Sequence, residues 1–202
     1  MYLFETMRVE AGDIPRNIYH TKRIANSAEQ LNFQFNKKEW DNYLDNICQQ
    51  HTEGLWRLKV MLGQDGTLTH QIVKLPDKQQ FSARFECIDA QFPDWQYTNK
   101  TSEREHVTHD HETDTVLYYD TNGKILEFDI GNVVVEESGN WYTPPFENDF
   151  LKGCMRQALL DEGKLQLRSY QLDELNEKLK RGRAQIFLIN SLREVADIQI
   201  NL

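Results

Sequence analysis

Cysteine is scarce in this chain of 202 residues: three thiols, at Cys48, Cys87 and Cys154, an odd number with no CxxC pair. That spacing excludes a disulfide framework and a zinc ribbon. Positive charge is in short supply as well, with 23 Lys and Arg against 32 Asp and Glu, for a formal net charge of −9. An acidic chain has no electrostatic grip on nucleic acid or anionic lipid, so neither is expected as a partner. No apolar run approaches the roughly 18 to 20 residues that a membrane-spanning helix needs. The opening Met1 to Asp13 has no basic stretch followed by an apolar one, so no secretory signal is expected. Repeats, low-complexity tracts and Gly/Ser linkers are missing too. So are the HExxH, GxSxG and Walker patterns that mark zinc-protease, serine-hydrolase and P-loop chemistry. What is present is 39% hydrophobic and 11% aromatic residues, enough for a true core. Composition alone describes a soluble, acidic, cytoplasmic globular protein of one or two domains.

Periodicity organises the first half. Asn17 to Phe33 has helical spacing, with Ile24, Ser27, Ala28 and Leu31 on one face. Asn36 is an N-cap candidate with Glu39 at capping-box distance, and Trp40, Tyr43, Leu44, Ile47 and Cys48 form the stripe that follows. Leu55 to Leu62 alternates, turns at Gln64-Asp65-Gly66 and returns over Leu68 to Leu75, a β-hairpin. Phe81, Ala83, Phe85 and Cys87 alternate as a third strand, which makes the first half two helices beside an antiparallel sheet and puts Cys87 in the core.

The second half is also α+β. Thr115 to Asp120 is strand-like, Asn122-Gly123 is a strong hairpin turn, and Ile125 to Val135 returns. Trp141 to Thr143 is a short strand stopped by Pro144-Pro145. A helix over Leu151 to Glu162 should end at Gly163. A strand over Lys164 to Tyr170, a helix over Leu172 to Lys180 and strands near Ile186 to Ile189 and Val195 to Ile200 complete the pattern. The expected organisation is a small domain over 1–90 and a larger one over 91–202. Two such lobes would meet around residues 89 to 100 and form a cleft, where small-molecule sites tend to lie.

Taken singly, the ionisable residues have ordinary readings. His106, His109 and His111, with Asp110 and Glu112 between them, fit a solvated loop better than a metal site, which needs fixed geometry. Lys100 could be a solvated charge, Glu127 could face water from an alternating strand, and Arg23 could pair with a neighbouring acid. Asn190 and Arg193 could be structural at a strand end.

Ordered segments change this. Leu3-Phe4-Glu5-Thr6-Met7-Arg8 is followed by His20-Thr21-Lys22-Arg23, then Asn99-Lys100-Thr101-Ser102-Glu103-Arg104. Gly123 to Asn132, with Glu127-Phe128-Asp129-Ile130-Gly131-Asn132, comes next. Trp141-Tyr142-Thr143-Pro144-Pro145, Leu151-Lys152-Gly153-Cys154-Met155-Arg156 and Ile189-Asn190-Ser191-Leu192-Arg193 complete the set. In this order they resemble the class IV aminotransferases, the fold-type IV pyridoxal-phosphate enzymes, and most of all the 4-amino-4-deoxychorismate lyases.

The resemblance implies two small α+β domains with pyridoxal 5'-phosphate in the cleft between them, no metal, and a homodimer. It implies that Lys100 is the catalytic lysine, which holds the cofactor covalently and moves protons at the substrate carbon. Glu127 would face the pyridine nitrogen. Arg23, Ser191 and the helix start at Gly153, Cys154 and Met155 would take the phosphate, with Ile130 also against the cofactor. Thr6, Arg104, Asn190 and Arg193 would bind a small anionic amino-carboxylate substrate. The activity implied is conversion of aminodeoxychorismate to 4-aminobenzoate and pyruvate, a step of folate biosynthesis. Transamination of branched-chain or D-amino acids is the near alternative, and a non-catalytic dimeric binding module a further one. Compared with most relatives, the chain begins late, at Phe4 of the Phe-Glu-Thr segment, so the small domain is expected to be shortened. It also has Met155 where threonine is common and Glu194 where glycine is frequent.

Overall fold

The computed structural model describes residues 1–89 and 91–201 and divides into two compact units. The first holds Met1–Asp77 and Asn99–Glu103, the second Lys78–Thr98 and Arg104–Leu202. No described helix is long and apolar enough to cross a membrane.

The first unit begins with a strand that hydropathy alone did not announce, β1 (Leu3–Glu10). It is followed by α1 (Asn17–Gln30), α2 (Lys37–Gln50), β2 (Leu55–Leu62) and β3 (Leu68–Lys74). The capping reading of α2 holds: Asn36 Oδ1 accepts the N–H groups of Lys38 and Glu39 at 3.0 and 3.3 Å. Its buried stripe is Trp40, Leu44 and Ile47, and Trp40 Nε1 donates to Thr21 Oγ1 on α1 at 3.0 Å. The strands form an antiparallel sheet in the order β1-β2-β3, with Leu3 opposite Leu62 and Glu10 opposite Leu55. One face, bearing Leu3, Met7, Val9, Leu58, Val60 and Leu62, packs with α1 and α2 residues in a single core.

Residues 99–103 join this unit through backbone bonds to the outer edge of β1. Phe4 N–H donates to Lys100 O at 3.0 Å, Ser102 N–H donates to Tyr2 O at 2.9 Å, and Leu3 bridges Thr101 in antiparallel sense. An otherwise open strand edge is thereby satisfied, which is why a short piece distant in sequence belongs here.

The second unit contains β4 (Gln80–Ile88), the short helix α3 (Asp94–Thr98), β5 (Thr115–Asp120), β6 (Ile125–Phe128), β7 (Gly131–Glu137) and β8 (Asn140–Thr143). Then come α4 (Cys154–Asp161), β9 (Gln166–Leu167), α5 (Leu172–Lys180), β10 (Gln185–Asn190) and β11 (Glu194–Ile200). The eight-stranded sheet runs β10-β11-β4-β5-β6-β7-β8-β9, and β10 also pairs with β7. That extra pairing closes β10, β11, β4, β5, β6 and β7 into a ring around Ala83, Leu117, Phe128, Val133, Ile186 and Leu188.

Several expectations are corrected. β4 does not extend the antiparallel hairpin of the first half. It lies parallel to both β11 and β5 in the second unit, a pairing that alternation cannot reveal because the partners are far away in sequence. Cys87, near its end, is exposed rather than core. The returning strand from Ile125 to Val135 is two strands, because Glu127 pairs with Asn132 and Phe128 with Gly131 across a tight turn at Asp129-Ile130. The helix expected from Leu151 begins at Cys154, and the strand expected over Lys164 to Tyr170 is only β9.

The histidine segment is a solvated loop only in part: Thr108, Asp110, His111 and Glu112 are exposed, whereas His106 is not. His106 is 6% exposed, lies against the rings of Phe92 and Tyr97, and has no hydrogen-bond partner on either ring nitrogen. His109 Nε2 lies 3.3 Å from Asp129 Oδ2, while its Nδ1 accepts the His111 N–H at 3.1 Å. Burial, reinforced by the charge of Arg104, pulls His106 down to about 4 from 6.5. A base buried neutral takes up its proton on unfolding, so this contribution is complete above pH 6.5 and shrinks as pH falls towards 4. Chemical denaturation at pH 7 and pH 4.5 should show a loss that His106→Phe reduces by about 2 to 3 kcal/mol.

Candidate active site

In the first unit the anion-binding candidate is built from β1 and α1. Glu5 sits on the core face of β1, 1% exposed between Leu3 and Met7. A lone carboxylate there would be costly, and α1 supplies two partners one turn apart. His20 Nδ1 donates to Glu5 Oε2 at 2.7 Å, and Arg23 donates from Nε to Oε1 at 2.7 Å and from Nη2 to Oε2 at 2.5 Å. Burial would raise the Glu5 carboxyl, but the Arg23 guanidinium and the two hydrogen-bonding partners outweigh it and hold it far below the usual range. The Arg23 fork is therefore fixed in direction. Glu5 and His20 were quoted in the motifs but given no role; the signal that finds them is a buried acid in register with HxxR.

Lys100 is on the other side of the sheet. The antiparallel bridge places it opposite Phe4, whose ring centre is 5.3 Å from Lys100 Nζ. Thr101, its neighbour, points to the core side and is fully buried. Alternation thus presents the lysine amine on the outward face while its backbone is locked to β1. Thr6 shares that face, half-buried.

In the second unit a buried polar group surrounds Glu127 on β6. The carboxylate is 5% exposed; Oε1 accepts the Leu151 N–H at 3.1 Å and Oε2 lies 3.4 Å from Asn132 Nδ2. Asn132 also donates to Leu151 O at 2.9 Å and accepts the Gly153 N–H at 2.9 Å. One side chain on β7 therefore orients the acid and caps the entry to α4. Arg156, 3% exposed, donates to Pro144 O at 2.8 Å. Burial pulls it down to about 10, against the opposing pull of the Glu127 and Asp149 charges. Asn132 and Arg156 were missed as functional candidates; their signal was the fixed spacing from Glu127 and from Gly153.

Gly153 contributes differently from what the sequence suggests, since its N–H is already committed to Asn132. The first-turn amides that begin α4 are those of Cys154 and Met155. A Cβ on Gly153 would sit 2.1 Å from Asn132 Oδ1. Gly153→Ala is therefore expected to displace Asn132 and cost about 2 to 4 kcal/mol in denaturant unfolding, whereas Lys152→Ala next to it should stay within about 0.5 kcal/mol.

The remaining candidates are more dispersed. Ser191 is buried after β10. Ile130 is at the β6-β7 turn, 43% exposed. Asn190 locks the β10-β11 turn: its Oδ1 accepts Leu192 and Arg193 N–H at 2.9 and 2.8 Å and its Nδ2 donates to Ile130 O at 3.1 Å. Arg193 lies over the Phe81 ring at 5.8 Å. Arg104 stands beside His106 in the second unit. Glu194 has φ of 61°, the left-handed region that glycine adopts without strain.

Known proteins share the fold and part of the sequence of this chain. A family model for class IV amino-transferases matches residues 2–200. The "Putative aminodeoxychorismate lyase" of Schizosaccharomyces pombe is 28% identical over 212 residues, covering 96% of this chain and 87% of that protein. The crystal structure of a "Putative amino-acid aminotransferase" from Mesorhizobium loti superposes with a TM-score of 0.85 at 25% identity, covering 99% of both chains. A "hypothetical aminotransferase" from Mycobacterium tuberculosis in its PLP-bound form gives a TM-score of 0.82 at 19% identity, over 99% of this chain and 81% of that one. On this full-length match and shared fold, the chain belongs to the class IV aminotransferase family, the pyridoxal-phosphate enzymes of fold type IV.

Proposed function

We propose that this protein is an aminodeoxychorismate lyase, releasing 4-aminobenzoate and pyruvate. The observation that carries the reading is that the first unit presents an amine locked by its backbone to β1, Lys100, and the second unit holds a buried, oriented carboxylate, Glu127. The near full-length similarity to the Schizosaccharomyces pombe protein favours lyase chemistry, and the likeness to the Mesorhizobium loti structure favours transamination as the second reading.

The donor set fits pyridoxal phosphate. In the second unit, an acid that is buried yet held by the Leu151 amide suits a protonated pyridine nitrogen, and Ser191 and the first-turn amides of α4 suit a phosphate dianion; in the first unit, the Arg23 guanidinium suits the same anion. When bound, the cofactor supplies an electron sink conjugated to the substrate amine. Lys100 would hold it covalently and would take the proton from the ring carbon that bears the substrate amine. Glu127 would hold the proton on the pyridine nitrogen, and Arg156 offsets the charge of Glu127 in its dry surroundings. The ring C–O bond breaks and enolpyruvate leaves, the ring becoming aromatic, and the proton taken by Lys100 would return to the methylene carbon to give pyruvate; the protein's remaining task is to orient the substrate and hold its two carboxylates. We also propose that the working form is a homodimer, so light scattering should return twice the chain mass of 23.9 kDa.

The test is direct. Protein mixed with pyridoxal phosphate should turn yellow, and borohydride should bleach it and fix the label on Lys100 in peptide maps. With aminodeoxychorismate, 4-aminobenzoate fluorescence should rise without any added keto acid; a strict keto-acid requirement would replace the lyase reading by the transaminase one.

A further inference from the structure

The outward face of the sheet in the first unit carries a charge distribution opposite to that of the protein. The register puts Phe4 opposite Met61, Thr6 opposite Lys59 and Arg8 opposite Arg57, all with side chains directed away from the helices. Lys100 joins the same face opposite Phe4. Four cations thus gather on one side of a small sheet in a chain with a net charge of −9. The acid that meets them is Glu10, whose Oε2 accepts Arg8 Nε at 2.9 Å.

Two of these cations are unexplained by folding. Arg57 and Lys59 have no carboxylate partner among the described residues. Arg57 faces Arg8 directly across the strands, an arrangement of like charges that costs stability. Lys59 Nζ lies over the Phe4 ring at 4.3 Å and the Tyr2 ring at 5.4 Å. Phe4 is also the ring beneath Lys100 Nζ. The order along the face is therefore the reactive amine, then Lys59, then Arg57. Successive outward positions on a strand are about 7 Å apart, the scale on which two carboxylates of one small molecule are separated.

We propose that Lys59 and Arg57 form the carboxylate-recognition site of this enzyme and restrict it to substrates with two carboxylates near the reacting amine. This rests on the proposed function for the role of Lys100, and it moves substrate recognition from Asn190 and Arg193 to the face of β2. Lys59 takes the carboxylate nearer the amine, with the Phe4 and Tyr2 rings keeping its ammonium in place. Arg57 takes the second carboxylate through its planar fork, and binding of that anion relieves its repulsion with Arg8.

The test uses the pyridoxal-phosphate-loaded protein with glutarate as a dicarboxylate probe and butyrate as a monocarboxylate probe, titrated by calorimetry at low salt. Lys59→Ala and Arg57→Ala should each weaken glutarate by about tenfold or more and butyrate by about threefold or less, while Lys59→Arg stays within about threefold of the parent. In turnover, KM for aminodeoxychorismate should rise in the two alanine variants with kcat nearly unchanged. Arg57→Ala should melt no lower than the parent, because a structural arginine would behave the opposite way. Absence of glutarate binding to the parent, or equal glutarate binding in parent and alanine variants, would overturn the proposal. Yellow colour and borohydride labelling of Lys100, measured on the same samples, report separately on the enzyme reading.

Discussion

Lys100→Ala is expected to lose at least ~10³-fold in turnover while unfolding within ~0.5 kcal/mol of the parent. The two effects separate because the side chain and the backbone of this residue serve different purposes. The backbone carbonyl accepts the Phe4 N–H and closes the edge of β1, and alanine preserves that bond. The side chain is half-buried on the outward face, against Phe4, and adds little to the core. What alanine removes is the amine that the proposed lyase reaction uses twice, as the covalent anchor and as the base. Methylamine added to the variant should restore part of the proton transfer, since a free amine can take the place of the missing one. Single-turnover fluorescence of 4-aminobenzoate with a parallel melting curve measures both quantities. Parent-like turnover in the variant would remove Lys100 from the mechanism.

The second large effect is one of stability. Glu5→Gln should cost about 3 to 5 kcal/mol, because it leaves Arg23 and His20 buried without the charge that balances them. Glu5→Leu together with His20→Leu and Arg23→Met should recover much of that loss, since replacing a whole buried ionic group by apolar side chains is often neutral. The triple variant should fold and yet bind pyridoxal phosphate poorly, which distinguishes the stabilising role of the cluster from its role towards phosphate. Acid provides an independent check. The folded-state carboxyl of Glu5 lies well below its ordinary value of 4.5. Its contribution is therefore complete above pH 4.5 and drains away as pH falls below that. Denaturation curves from pH 6 to pH 3 should fall more steeply in the parent than in the triple variant.

The same cluster shows what could be read early. His20 and Arg23 lie three apart on a helix, and Glu5 lies in an alternating segment, so each face could be assigned from spacing alone. That the two faces meet at 2.7 Å could not, because nothing in local spacing ranks β1 beside α1 over any other packing. Glu127 follows the same logic. Its place just after an Asn-Gly turn was legible, but the turn at Asp129-Ile130 that points it at the Leu151 amide was hidden inside a continuous run of strand formers. Arg57 and Lys59 were invisible as site residues for a different reason. On a half-buried strand, alternating cations look like an ordinary solvated face until the partner strand reveals which charge stands opposite.

Local physics by itself determined α2, since the Asn36 cap and the Trp40, Leu44 and Ile47 stripe follow from chain geometry within one or two turns. The ordered motifs likewise determined the family and the cofactor. Tertiary structure alone decided that β4 leaves the first hairpin for a parallel place between β11 and β5, that residues 99–103 return to the edge of β1, and that the cations of β1 and β2 share one face. Each of those depends on pairing between strands remote in sequence, and the free energy that selects such a pairing comes from closing open edges and filling a common core. Neither can be evaluated until the whole chain is in place.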